Sequence, residues 1–66
     1  MTNGKPTTIE FAFDRTTPGT ARYQEIDAQG KPLRTRDGAV IGTLYIRKTA
    51  LNGQVPQRIR ATIQAV

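Results

Sequence analysis

Apolar residues fall at every second position in three separate stretches of this chain, and nowhere do they recur at a sustained helical spacing. Ile9, Phe11 and Phe13 alternate with Glu10, Ala12 and Asp14. Leu44 and Ile46 alternate with Thr43, Tyr45 and Arg47, and Ile59, Ala61 and Ile63 alternate with Arg58, Arg60, Thr62 and Gln64. Successive side chains on a strand point to opposite faces, so each stretch predicts a strand buried on one side only. The predicted fold class is therefore all-β, with no long helix.

The segments between these strands refine the picture. Thr17-Pro18-Gly19-Thr20 predicts a type II turn, because proline presets φ at the first turn position and glycine accepts a positive φ at the second. A tight turn there folds Ala21–Ile26 back as an antiparallel strand. Two registers are open to it: Ala21 and Tyr23 inward, or Arg22, Gln24 and Ile26 inward. The first is preferred, since the second buries an arginine without a partner. Residues 27–39 contain Gly30, Pro32 and Gly38 among several charges and predict a long, polar, mobile loop. The strongest strand should then run from Val40 to Arg47. Lys48-Thr49-Ala50-Leu51-Asn52-Gly53 reads as one short helical turn near residues 49–52, with Thr49 as its cap and Asn52-Gly53 as a left-handed exit.

The whole chain of 66 residues is one small β domain, with residues 1–6 expected to fray. Its sheet is expected to have four antiparallel strands in two hairpin-like units. Ile9, Phe11, Phe13, Leu44, Ile46, Ile59 and Ile63 line one face. Ordering 66 residues costs on the order of 100 kcal/mol at ~1.5 kcal/mol each, so that face cannot stay wet. Either the sheet curls on itself, or two chains bury their faces together as a homodimer.

Composition removes whole classes of chemistry. The chain has no cysteine, histidine or serine, so neither a disulfide nor a Ser-His-Asp or Cys-His arrangement can be built. Zinc would have to be held by carboxylates alone, which is not how its sites are made. Glu10 and Asp14 are the one pair of carboxylates to consider, but neighbouring arginines favour the ionised form, the opposite of what a general acid needs. No glycine-rich phosphate loop opens a helix. The expectation is a protein that is not an enzyme, with no cofactor, metal or small-molecule substrate. The N-terminal residues lack the apolar stretch of a secretory signal, and no run is long enough to span a membrane, which predicts a cytoplasmic location and no membrane partner.

Three segments together carry a resemblance: Thr16 to Glu25, then Ile41 to Leu51, then Pro56 to Ile63. They resemble a group of short bacterial and phage proteins in which T-x-R-Y-x-E precedes G-T-L-Y-[IV]-x-K-x-A-L and a terminal P-x-x-I-x-x-T-I. No established activity attaches to that group, so the resemblance implies strand boundaries rather than a function. The polar segment 27–39 is where this chain differs most from it.

Binding is what remains. Ten Lys and Arg against five Asp and Glu give a net charge of +5, which favours polyanionic partners although it also serves solubility. In the preferred register the polar face carries Glu10, Asp14, Arg22, Tyr45, Arg47, Arg58, Arg60, Thr62 and Gln64. Tyr45 between Arg47 and the Arg58/Arg60 pair would stack a base while the cations hold phosphates. Arg22 and Lys48 complete this candidate site for single-stranded DNA or RNA. The alternative is a homodimeric structural or protein-interaction protein of phage or plasmid origin, with the arginines simply solvated or paired with Glu10 and Asp14.

Overall fold

A computed structural model describes residues 5–66. The chain is all-β: β1 (Thr7–Thr16), β2 (Thr20–Glu25), β3 (Thr43–Arg47) and β4 (Arg58–Ile63), with short 3₁₀ turns at Thr35–Asp37 and Lys48–Leu51. Four antiparallel strands form one curled, half-barrel sheet in the order β3-β2-β1-β4. β1 and β2 make a hairpin. β3 and β4, consecutive in sequence, are not a second hairpin but occupy opposite edges of the sheet. Residues 48–57 cross from one edge to the other, and the backbone N–H of Phe13 donates to the Gln57 carbonyl at 2.8 Å where they arrive. The fraying expected over residues 1–6 falls mostly outside the described residues. Lys5 and Pro6 are exposed coil leading into β1.

Register follows the alternation. Phe13 lies opposite Tyr23, Tyr23 opposite Leu44, Ala21 opposite Ile46, and Phe11 opposite Ile59. Ile9, Phe11, Ala21 and Tyr23 form the buried core on the concave side, with Leu44, Ile46, Leu51, Val55 and Ile59 packed around it. Curling brings the Phe13 and Tyr23 rings into an edge-on contact with centroids 5.9 Å apart, a geometry that suits the quadrupoles of both rings. Leu51 and Val55 come from the crossing segment, so the β3–β4 connection covers the face that a flat sheet would leave wet. Ile63, expected in the core, is at the end of an edge strand and remains 48 % exposed.

Three local expectations need correction. Gly19 is not among the positive-φ residues, so the β1–β2 connection is not a type II turn. The Thr17 N–H donates to the Thr20 carbonyl at 2.9 Å, and the Thr17 hydroxyl accepts the Thr20 N–H at 3.2 Å and bonds the Thr20 hydroxyl, so the turn is closed without a left-handed glycine. Thr49 does not cap the turn at Lys48–Leu51; it lies inside it, and Asn52 and Gly53 supply the left-handed exit. The strand expected from Val40 begins only at Thr43, because residues 40–42 are committed elsewhere.

That commitment is to Glu25, the one buried charged residue among those described, 3 % exposed. Its Oε1 accepts hydrogen bonds from the N–H groups of Val40 (3.0 Å), Ile41 (2.8 Å) and Gly42 (2.9 Å). Its own backbone N–H donates to the Gly42 carbonyl and its carbonyl accepts from Leu33, both at 2.8 Å. Burial alone would raise the carboxyl pKa, but the three backbone donors outweigh it and hold the pKa below the ordinary glutamate value. Segment 27–39 is anchored in the same way. Asp27 Oδ1 accepts from the N–H groups of Gln29 and Lys31, Ile26 bridges to Pro32, and the Gln24 amide donates to the Leu33 carbonyl at 2.9 Å. The polar loop is therefore a built structure that folds back onto the sheet.

Candidate nucleic-acid interface

The outer face of the sheet is where the polar members of each alternation must go. Its rungs can be read from the pairing. Tyr45 on β3 lies opposite Arg22 on β2, which lies opposite Arg15 on β1. The next rung runs Thr43, Gln24, Ala12, Arg58, and beyond it Glu10 faces Arg60. A β-bulge between Phe13 and Arg15 sets both Asp14 and Arg15 against Arg22. Two residues against one is what a bulge does, and here it sets a carboxylate and a second arginine at that rung.

Arg22 is the centre of the first cluster. Its guanidinium carbon sits 5.9 Å from the centroid of the Tyr45 ring, within the range of a cation–π contact. Its Nε is 3.3 Å from Asp14 Oδ2, while Arg15 Nε is 3.6 Å from the same oxygen. The Nε of Arg22 is buried and makes no hydrogen bond of good geometry, so the contact with Asp14 is one of charge rather than of alignment. Tyr45 is 58 % exposed. Arg47 follows on the same face opposite Thr20, and Lys48 opens the 3₁₀ turn where its N–H donates to the Gly19 carbonyl at 3.1 Å.

The second cluster is Arg58 and Arg60 on β4. Arg60 Nη2 meets Glu10 Oε2 at 3.3 Å, an exposed pair of the kind worth less than ~1 kcal/mol. Arg58 reaches over the turn at Gly30. A methyl group added at Gly30 would come to 3.0 Å from Arg58 Nη2. Tyr45 therefore does not sit between Arg47 and the Arg58/Arg60 pair, because β3 and β4 are opposite edges. Three inter-strand steps of ~4.8 Å put Tyr45 and Arg47 roughly 14 Å from the strand that carries Arg58 and Arg60.

Between them the floor is Ala12 and Gln24, and the returning loop raises a wall of Gly30, Pro32 and Arg34. These enclose a depression of about 340 Å³ that also touches Asp14. Arg15 and Arg34 are thus additions to the expected set. Arg15 enters through the bulge, which has no signature in the alternation. Arg34 enters because Leu33, the one large apolar residue of the loop, is tied to β2 by the Glu25 and Gln24 bonds.

No protein-family model, curated protein or solved structure matches this chain. Any functional reading must come from the geometry of the face itself. Among the described residues no helix is long and apolar enough to cross a membrane.

Proposed function

We propose that the protein is a non-enzymatic binding module whose outer sheet face takes single-stranded nucleic acid. The observation that carries this is the Arg22–Tyr45 pair. An exposed aromatic ring lies beside a guanidinium, with Arg15 and Arg47 flanking and a second arginine pair one sheet-width away. A ring of that kind can stack an unpaired base of any identity, and arginines on either side can meet successive phosphates. Arg60 pairs with Glu10 and Arg15 and Arg22 share Asp14, whereas Arg47 and Arg58 meet no carboxylate among the described residues. A cytoplasmic location fits this reading.

The test is a titration of labelled oligo-dT and oligo-U at several salt concentrations. Affinity should fall with salt at a log–log slope of about −0.7 for each phosphate contacted. Tyr45→Ala should weaken binding by ~1–3 kcal/mol while leaving stability nearly unchanged, since the side chain is mostly in solvent. No binding at low ionic strength, or binding indifferent to salt, would remove the proposal. A homodimer is the second reading, favoured by the open edges of β3 and β4 and the exposed Ile63. Sedimentation at dilute concentration separates the two, because a strictly monomeric species retires the dimer.

A further inference from the structure

β1 is longer than the neighbour that pairs with it on one side. β4 runs alongside Thr7–Ala12, whereas β2 joins β1 only from Phe11 onward. Phe13 donates its N–H toward Gln57 on the β4 side, and the Glu10 carbonyl accepts from Ile26 on the β2 side at 3.0 Å. Backbone groups alternate along a strand, so the N–H and carbonyl of Thr8 point to the β2 side as well. The chain has already turned away there at Asp27, and among the described residues no strand lies against Thr8 on that side.

What lies there instead is a groove of about 480 Å³. Ile9, Ile26, Leu33 and Val40 give it apolar walls, and Val40 is 61 % exposed. Its charged lining is Glu10, Glu25 and Asp27, with no lysine or arginine, in a protein whose net charge is +5. The Glu25 carboxylate is consumed by the backbone of residues 40–42 and Glu10 meets Arg60 in an exposed pair, which leaves Asp27 as the rim carboxylate with no ion-pair partner among the described residues.

We propose that this groove binds an extended peptide segment as a short added strand against Thr7–Glu10, one in which apolar side chains alternate with lysine or arginine. An unpaired strand edge supplies main-chain affinity, and pockets for alternate side chains supply choice. Ile9, Ile26 and Val40 would receive the apolar residues, while Asp27, and Glu10 in exchange for its exposed contact with Arg60, would face the cations. The proposal is independent of nucleic-acid binding, which uses the outer face.

The experiment is an NMR titration with a blocked hexapeptide of alternating lysine and valine, its glutamate–valine counterpart, and a lysine–valine peptide with methylated backbone nitrogens. The lysine peptide should shift the amides of Thr8, Ile26 and Val40 and slow exchange at Thr8. The glutamate peptide should bind at least tenfold more weakly, and the methylated peptide should not bind. Thr8→Pro removes the N–H offered to the peptide but leaves the bonds of Thr7 and Ile9 to β4, and should weaken binding about fivefold. Val40→Lys changes only an exposed side chain, keeps the N–H that serves Glu25, and should weaken it about tenfold. Equal affinity for the glutamate peptide, retained binding of the methylated one, or shifts confined to Arg22 and Tyr45 would overturn the proposal. So would concentration-dependent protection of Thr8 without peptide, which would assign the groove to a second copy of the chain. None of these outcomes bears on the oligonucleotide titration.

Discussion

Replacing Glu25 with alanine is expected to cost about 3 kcal/mol at neutral pH, from stranding the N–H groups of Val40, Ile41 and Gly42 at ~1–3 kcal/mol each, reduced where water reaches the rim. A chain of 66 residues has only ~3–10 kcal/mol to lose, so the variant should be largely unfolded or close to it. Glu25→Gln keeps one acceptor oxygen but turns an amide N–H₂ toward the Val40 N–H, and should cost about 2 kcal/mol, the worth of a charge-assisted bond. Urea titrations at pH 7 measure both. A loss under ~1 kcal/mol for the alanine variant would mean that residues 40–42 hold themselves without the carboxylate.

The same group makes stability depend on pH. The folded pKa of Glu25 is lowered, so its contribution is fully present above the ordinary value of 4.5 and is lost as pH falls through the folded value. Stability of the native sequence should decline through that acidic window. The Glu25→Gln variant, less stable at neutral pH, should lack this part of the decline. Parallel acid limbs in the two proteins would show that other carboxylates carry the effect.

The second large effect is expected at Tyr23, which is fully buried and sits at the middle of the curl. Its ring packs edge-on against Phe13 and its hydroxyl donates to the Pro56 carbonyl at 2.8 Å. Tyr23→Ala empties the centre of a very small core and should cost ~3–5 kcal/mol, enough to abolish cooperative unfolding. Tyr23→Phe keeps the ring and removes only the bond to the crossing segment, for about 1 kcal/mol. Burial raises the Tyr23 pKa, so its contribution is present below the ordinary value of 10.0 and is lost as pH rises through the folded value. An alkaline loss of stability that Tyr23→Phe does not reduce would place that titration on another group. Thermal melts of the variants across pH distinguish these outcomes.

Much of this molecule could be read without coordinates, for a definite reason. A period of two is a local property, so Ile9, Phe11, Leu44, Ile46 and Ile59 declare their side of the sheet from their immediate neighbours. The choice of Tyr23 over Arg22 as the inward residue followed from the cost of burying an unpaired cation. If Ala21 and Tyr23 face inward, Glu25 must as well, and a buried carboxylate demands donors that only a distant segment can bring. The pairing of Glu25 with residues 40–42 spans fifteen or more positions and interrupts the alternation where the strand was expected to start.

The candidate interface divides along the same line. That Arg22, Tyr45, Arg47, Arg58 and Arg60 share one face was implied by parity. Whether they are neighbours was not, because strand order depends on the path of the connections. Residues 48–57 take β4 past the core to the far side of β1, which parts Tyr45 from Arg58 and Arg60 and leaves the returning loop between them.

Sequence alone determined the inward and outward sides of each strand and the absence of thiol, imidazole and serine chemistry, since both reside in residue identity and nearest-neighbour spacing. Only the tertiary structure decided which strands are edges, where the bulge adds Arg15, what satisfies Glu25, and that half of β1 borders an open groove. Those features are contacts between segments far apart in the chain, and their free energy is gained only once the intervening loops have closed.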